Sequence, residues 1–201
     1  MSNTKKIAVL VSGGGTNLQA LIDAQGRGEL GPGEITLVIA SKPGVFALER
    51  AAKAGIEGRV LARKDYDSIA DYSKALADTM TAEGIDLVVL AGFLTIIDEQ
   101  VYNAFPNRIV NVHPALIPSF CGVGMYGRHV HEAALAYGVK VTGATVHFVN
   151  EIPDGGEIIL QKAVYIQDGD TPEILQKRVM EQAEWIILPQ AVEKVCAGLQ
   201  A

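Results

Sequence analysis

Cysteine is scarce: Cys121 and Cys196 are the only two in 201 residues, and they stand in neither a CxxC nor a CxH spacing. A secreted disulfide framework and a zinc ribbon are therefore not expected, and the usage fits a reducing compartment. Basic residues are outnumbered, 17 Lys and Arg against 23 Asp and Glu, for a formal net charge of -6. Nucleic-acid binding needs a local excess of cations, and no such cluster occurs. Long hydrophobic runs are missing as well, since none approaches the ~20 residues of a membrane span. Lys5-Lys6 followed by the apolar run Ile7 to Val11 resembles a signal peptide only superficially, because the run is too short and ends in Ser12-Gly13-Gly14-Gly15. The expectation is a soluble, cytoplasmic chain without a membrane or nucleic-acid partner.

Apolar material is plentiful, at 49% of the residues. A chain of this length can bury roughly 70% of the surface its unfolded form exposes, so residues 1–201 read as one domain that needs neither metal nor cross-links. Short β-branched runs alternate with longer segments of helical periodicity. Strands are expected at Ile7 to Val11, Ile35 to Ala40, Asp86 to Ala91 and Ile109 to Val112, with a weak one at Arg59 to Leu61. Helices are expected at Thr16 to Gln25, Val45 to Ala54, Tyr66 to Ala82 and Glu99 to Ala104. Leu87-Val88-Val89-Leu90 is apolar on both faces, as a parallel strand covered by helices on each side requires. The pattern is a doubly wound, Rossmann-like α/β fold with a mostly parallel sheet.

After residue 113 the alternation stops. A loop rich in Pro and Gly leads to a short helix at Val130 to Tyr137. A C-terminal β-hairpin follows, with arms Val141 to Val149 and Glu157 to Ile166 around the turn-forming stretch Asn150 to Gly156. A long final helix starts after Thr171-Pro172-Glu173, where Pro at the first helical position is favourable, and runs towards Ala197 with a disturbance expected at Pro189.

Three constellations carry chemistry. The first strand empties into Ser12-Gly13-Gly14-Gly15-Thr16-Asn17 and then directly into a helix, a turn that turns backbone N–H groups towards an anion at the positive end of that helix. A dinucleotide fingerprint would need glycine at Leu18 and an acid near Ser41 and Lys42; an ATP loop would need Gly-Lys-Ser/Thr where Leu18-Gln19-Ala20 stand. A phosphomonoester site remains, with the Thr16 hydroxyl and the Asn17 amide as added donors. The same glycines could also serve only to pack strand on helix.

The second constellation is Asn111-Val112-His113-Pro114 at the end of a strand. Residues two apart point to one face, so Asn111 and His113 are presented together at the carboxyl edge where open α/β sheets bind ligands. Asn supplies a neutral donor to a developing oxyanion, and His can carry a proton near neutral pH. Either could instead satisfy a loop backbone. The third is Asp154, which heads Asp154-Gly155-Gly156 and either stabilises the turn or brings a carboxylate to His113, raising its pKa. His147 reads as a packed histidine, and His129 and His131 as solvent-facing or loop-anchoring. No metal spacing is evident.

Taken together, Ser12 to Leu18, Leu90-Ala91-Gly92-Phe93-Leu94, Asn111 to Pro118, and Val146-His147-Phe148-Val149 before Asp154-Gly155-Gly156 closely resemble the phosphoribosylglycinamide formyltransferase family of purine synthesis, over nearly the whole chain. The resemblance implies formyl transfer from 10-formyltetrahydrofolate, a co-substrate, to the amine of glycinamide ribonucleotide, without a metal. It implies Asn111, His113 and Asp154 as the catalytic trio, in which Asn111 and protonated His113 stabilise a tetrahedral oxyanion while Asp154 holds the imidazolium. It implies Gly14, Gly15, Thr16 and Asn17 as contacts to the nucleotide phosphate, and Glu184, in a stretch one residue longer than the family's, as an acid near the ribose. Phe93, Leu94, Thr95, Ile96, Ile97 and Asn111 would line the folate pocket, with Thr95 where many members carry Arg. The stretch Ser119 to Gly143 is longer than in bacterial members, so its contacts are not carried over. The chain would act as a monomer or homodimer.

Three rivals make different demands. Methionyl-tRNA formyltransferase would add a basic tRNA-binding domain, and formyltetrahydrofolate deformylase an N-terminal regulatory domain. Neither fits the length expected from this reading. A non-catalytic phosphate-sugar binding module would use the glycine loop but would not require Asn111, His113 and Asp154 to converge.

Overall fold

A computed structural model describes residues 4–199; the extreme ends of the 1–201 span lie outside the described residues. Seven strands form one sheet: β1 (Lys5–Val11), β2 (Gly33–Ala40), β3 (Glu57–Val60), β4 (Leu87–Leu90), β5 (Ile109–His113), β6 (Val141–Phe148) and β7 (Ile158–Tyr165), in the order β3-β2-β1-β4-β5-β6-β7. The first five pair in parallel. β6 and β7 are antiparallel to their neighbours and form the expected hairpin. The weak strand at Arg59 is present but begins two residues earlier, at Glu57.

The helices are α1 (Thr16–Gly26), α2 (Phe46–Lys53), α3 (Ile69–Ala82), α4 (Glu99–Ala104), α5 (Arg128–Tyr137), α6 (Pro172–Val179) and α7 (Trp185–Gly198). They cover both faces of the sheet. Along β1, Ile7, Val9 and Val11 join the core beneath Leu18, Leu21, Ala47 and Leu188, whereas Ala8 and Leu10 join the opposite core with Tyr72, Leu76, Met80 and Val101. The double burial explains the unbroken apolar strands: Leu87, Val88 and Val89 are all inaccessible to solvent. Each such side chain contributes roughly 1.5–3 kcal/mol relative to exposure.

Two helical expectations shift. The helix expected from Tyr66 begins at Ile69, because Ser68 accepts the Asp71 N–H and caps it there. A short 3₁₀ turn at Arg63–Asp65 precedes it. The long final helix is interrupted upstream of Pro189, by a π turn at Met180–Glu184 between α6 and α7. Pro189 itself lies within α7, and its missing N–H and its ring act on the carbonyl one turn back, at Trp185, where ψ relaxes to -10°.

Strand order reverses between β1 and β4, and crevices at such a switch point hold ligands beyond the carboxyl ends of the strands. There the loop Ser12–Gly15, the segment after β4 and the end of β5 come together.

Candidate active site

Gly15 ends the glycine loop as the N-cap of α1, with φ 71° and no side-chain cap. Two constraints hold it to glycine: the left-handed conformation, and a built Cβ that would lie 2.7 Å from Ala47 Cβ. The first helical bond runs from Gln19 N–H to Gly15 C=O, so the amides of the leading turn remain directed outward. Ser12 is structural, its hydroxyl bonding to Ser41 at 2.8 Å and accepting the Leu94 N–H at 2.9 Å. That bond ties the glycine loop to the segment after β4.

Two cavities open at this edge. The smaller, about 350 Å³, is lined by Thr16, Asn17, Leu94, His113, Tyr126 and Glu184 among others; the larger, about 560 Å³, by Leu90, Phe93, Thr95, Ile96, Ile97 and Asp98 and by the turn Asn150–Asp154. Phe93, Asn111 and Asp154 line both. Of the residues expected to face folate, Leu94 thus opens into the smaller cavity, while Phe93, Thr95, Ile96, Ile97 and Asn111 line the larger. Gly14 faces α2 through its carbonyl, which accepts from Arg50 Nε at 2.8 Å.

Asn111 and His113 share one face of β5, and Asp154 reaches them from the hairpin turn. His113 Nδ1 lies 3.6 Å from Asp154 Oδ2, and Nε2 donates to the Phe120 carbonyl at 2.8 Å. Asp154 Oδ2 also accepts the Gly122 N–H at 2.8 Å. The turn is sharp: Asp154 adopts φ 56°, and a Cβ on Gly156 would fall 1.8 Å from the Phe148 carbonyl oxygen. Glycine there lets the chain pass against the end of β6 and turns the carboxylate inward.

His147, read from sequence as a packed residue, is buried and also belongs to the site. It sits opposite Asn111 in the β5–β6 register. Its Nδ1 donates to the Phe148 carbonyl at 2.8 Å, which leaves Nε2 to accept from Asn111 Nδ2 at 3.2 Å. Nε2 is also 3.5 Å from Asp154 Oδ1. His131 departs further from expectation: one turn into α5, it is fully buried rather than solvent-facing, and burial pushes its pKa down to about 4.

Electrostatics correct a second expectation. Burial lowers the His113 pKa below its ordinary value and outweighs the opposing pull of Asp154 and the Phe120 carbonyl, so the ligand-free site disfavours the imidazolium. Burial pushes the Asp154 carboxyl upward, but His147, the Gly122 N–H and His113 together bring it below the ordinary carboxylate range.

The far wall of the smaller cavity is a buried pair. Asn17 Nδ2 donates to Glu184 Oε2 at 2.7 Å, and Asn17 Oδ1 has no partner. One amide proton of Asn17 is thereby spent on Glu184 and the other is not, and its backbone N–H stays at the head of α1. Burial raises the Glu184 carboxyl to about 7.

The trio and the glycine loop are legible in residue types and Glu184 only through the family resemblance, whereas His147 and the backbone of Phe120 and Gly122 are not. The positive φ of Phe120 and the glycine at 122 mark an unusual turn, but a backbone contact leaves no residue-type signal.

The formyl transferase family matches residues 5–192. Phosphoribosylglycinamide formyltransferase of Haemophilus influenzae is 40% identical over 194 residues, covering 96% of this chain and 88% of the relative. The trifunctional purine biosynthetic protein adenosine-3 of Gallus gallus is 41% identical over 98% of this chain, which spans only 19% of that relative's length. Among solved structures, glycinamide ribonucleotide transformylase 1 from Symbiobacterium toebii superposes with a TM-score of 0.92 at 40% identity, covering 98% of this chain and 90% of that one. Phosphoribosylglycinamide formyltransferase from Bacillus halodurans gives 0.88 at 38% identity, with 95% of each chain covered. The sheet order, the cavities at the switch point and these matches agree that the chain belongs to the formyl transferase family.

Proposed function

We propose that the protein is a folate-dependent phosphoribosylglycinamide formyltransferase, acting as one domain in the cytoplasm, as a monomer or homodimer. The observation that carries the reading is the junction of the two cavities: Asn111 and Asp154 line both. A donor in one and an acceptor in the other would meet at those side chains, and a binding module with one ligand has no need of a shared wall.

The larger cavity suits 10-formyltetrahydrofolate, because Leu90, Phe93, Ile97 and Val149 offer apolar walls to a flat ring and Asn111 offers an amide at its inner end. When bound, the folate supplies the formyl group as an activated one-carbon unit. The smaller cavity suits glycinamide ribonucleotide: the amides leading α1 face its phosphate, and the Glu184 carboxyl on its far wall is an acceptor for ribose hydroxyls.

Asn111, with one amide proton spent on His147, has the other to donate to the formyl oxygen as negative charge develops there. His113, with Nε2 committed to Phe120, has Nδ1 to take up a proton from the attacking amine, and Asp154 stabilises the imidazolium so formed; collapse of the tetrahedral intermediate breaks the bond from the formyl carbon to the folate nitrogen, which leaves with the proton that His113 returns. No metal is required by these steps.

The reading is tested by following tetrahydrofolate release with and without glycinamide ribonucleotide. Release that depends on the ribonucleotide supports the transferase. Equal release without it assigns a hydrolytic deformylase instead.

A further inference from the structure

We propose that Arg50 is a positioning residue for the acceptor: it holds the glycine loop in its anion-binding form and supplies the positive charge that offsets the phosphate. The inference rests on the reading that the acceptor's phosphate sits at this loop.

The loop's geometry is set from α2. Arg50 Nε donates to the Gly14 carbonyl at 2.8 Å, and the Ala47 N–H donates to the Gly13 carbonyl at 3.2 Å. In a trans peptide the C=O and the following N–H point in opposite directions. Drawing the Gly13 and Gly14 carbonyls towards α2 therefore turns the amides of Gly14 and Gly15 away from it, so that they join the free amides at the head of α1. Releasing the Gly14 carbonyl would let that peptide rotate, since glycine resists rotation least.

Arg50 itself is held from three sides. Besides the Gly14 bond, Nη1 donates to Gln19 Oε1 at 2.9 Å, and the guanidinium carbon lies 4.8 Å from the centre of the Phe46 ring. Both hydrogen bonds go to neutral oxygens, so the charge is not cancelled by direct pairing. Asp23 is reached only through Gln19, whose Nε2 donates to it at 2.8 Å.

Charge placement points the same way. The lining of the smaller cavity contains Glu184 and Asp154 but neither Lys nor Arg. A third cavity of about 270 Å³ adjoins it across Thr16 and is lined by Asp23, Arg27 and Arg50. Arg27 is engaged by Glu29 at 2.6 Å and Asp23 accepts from Gln19 at 2.8 Å, which leaves Arg50, bonded to neutral oxygens, as the cation of that wall beside Thr16.

The test compares wild type with Arg50→Met, Arg50→Lys and Gln19→Met, measuring KM for both substrates, kcat, Tm and competitive inhibition by inorganic phosphate. Arg50→Met is expected to raise the KM for glycinamide ribonucleotide and the phosphate inhibition constant together, by about 10- to 100-fold, with kcat and the folate KM nearly unchanged. Arg50→Lys is expected to recover part of both, because the charge returns without the fork. If Arg50→Met does not fold, Gln19→Met, which loosens one anchor and keeps the charge, should still give a smaller rise confined to the ribonucleotide. Phosphate that competes with the ribonucleotide in wild type, but equally well in a folded Arg50→Met, overturns the assignment of Arg50 alone. Phosphate that does not compete in wild type overturns the placement of the phosphate at the loop, and the inference with it.

Discussion

Asn17 gives its amide proton to Glu184 across 2.7 Å and keeps its own oxygen buried and unpartnered. The contact seats Glu184, on the π turn before α7, against helix α1 in the wall of the smaller cavity. Its carboxyl can accept from a sugar hydroxyl, whereas its ionised form would repel a phosphate.

The pair is pH-sensitive. Glu184 has a folded pKa of about 7 against an ordinary 4.5, so its contribution to stability is fully present below pH 4.5 and is lost as pH rises through 7. The rise corresponds to about 3 kcal/mol at roughly 1.4 kcal/mol per pH unit. Wild-type Tm should fall between pH 5 and pH 8 relative to that of Glu184→Gln, which lacks the ionisation. Parallel Tm profiles for the two proteins would contradict the burial of an ionisable carboxyl there.

Asp154 acts on the charge of His113. Its carboxylate favours the imidazolium, so Asp154→Asn should lower the His113 pKa further and move the limb of the pH–rate profile due to that histidine to lower pH. The substitution should also reduce kcat at neutral pH by about 10²-fold or more. An unchanged profile with near-normal turnover would reduce Asp154 to a turn residue.

Asn111 is oriented by His147. Asn111→Ala should cut kcat by about 10²- to 10³-fold, as expected for a lost oxyanion donor. His147→Leu leaves Asn111 in place but removes the acceptor that fixes its amide, and should cost about 10- to 100-fold in kcat with little effect on either KM. A double variant should lose less than the product of the two. Full multiplicativity would mean that they act separately.

Gly156 carries the turn. A Cβ there meets the Phe148 carbonyl oxygen at 1.8 Å, so Gly156→Ala should destabilise the protein by about 3 kcal/mol or more and displace Asp154. Denaturant unfolding measures it directly, and a change under 1 kcal/mol would show that the hairpin turn relaxes freely.

How much of this the sequence reveals depends on which groups make each contact. The apolar runs of β1 and β4, the glycine turn after Val11 and the Asn111–His113 spacing are written in side chains, and each appears in the fold where its pattern places it. The partner of Asn111 is not written that way: it follows from the β5–β6 register, which sets Asn111 opposite His147. The loop after Pro118 is silent for another reason, since it reaches His113 and Asp154 through the Phe120 carbonyl and the Gly122 amide, groups that every residue has. His131 misleads because two histidines beside an arginine look polar, although the helical turn rotates one of them inwards. Around Glu184 the sequence reads as continuous helix, and the π turn there shows only in the backbone.

The central claim is that a formyl group crosses from one cavity to the other at Asn111 and Asp154. The most direct measurement is a single turnover with donor carrying ¹³C in the formyl group, in the presence of glycinamide ribonucleotide, read by NMR. The label should appear in the formamide of the ribonucleotide product in amounts equal to the tetrahydrofolate released, and it should stay on the donor when the ribonucleotide is withheld. Label recovered as free formate, at a rate indifferent to the ribonucleotide, would contradict it.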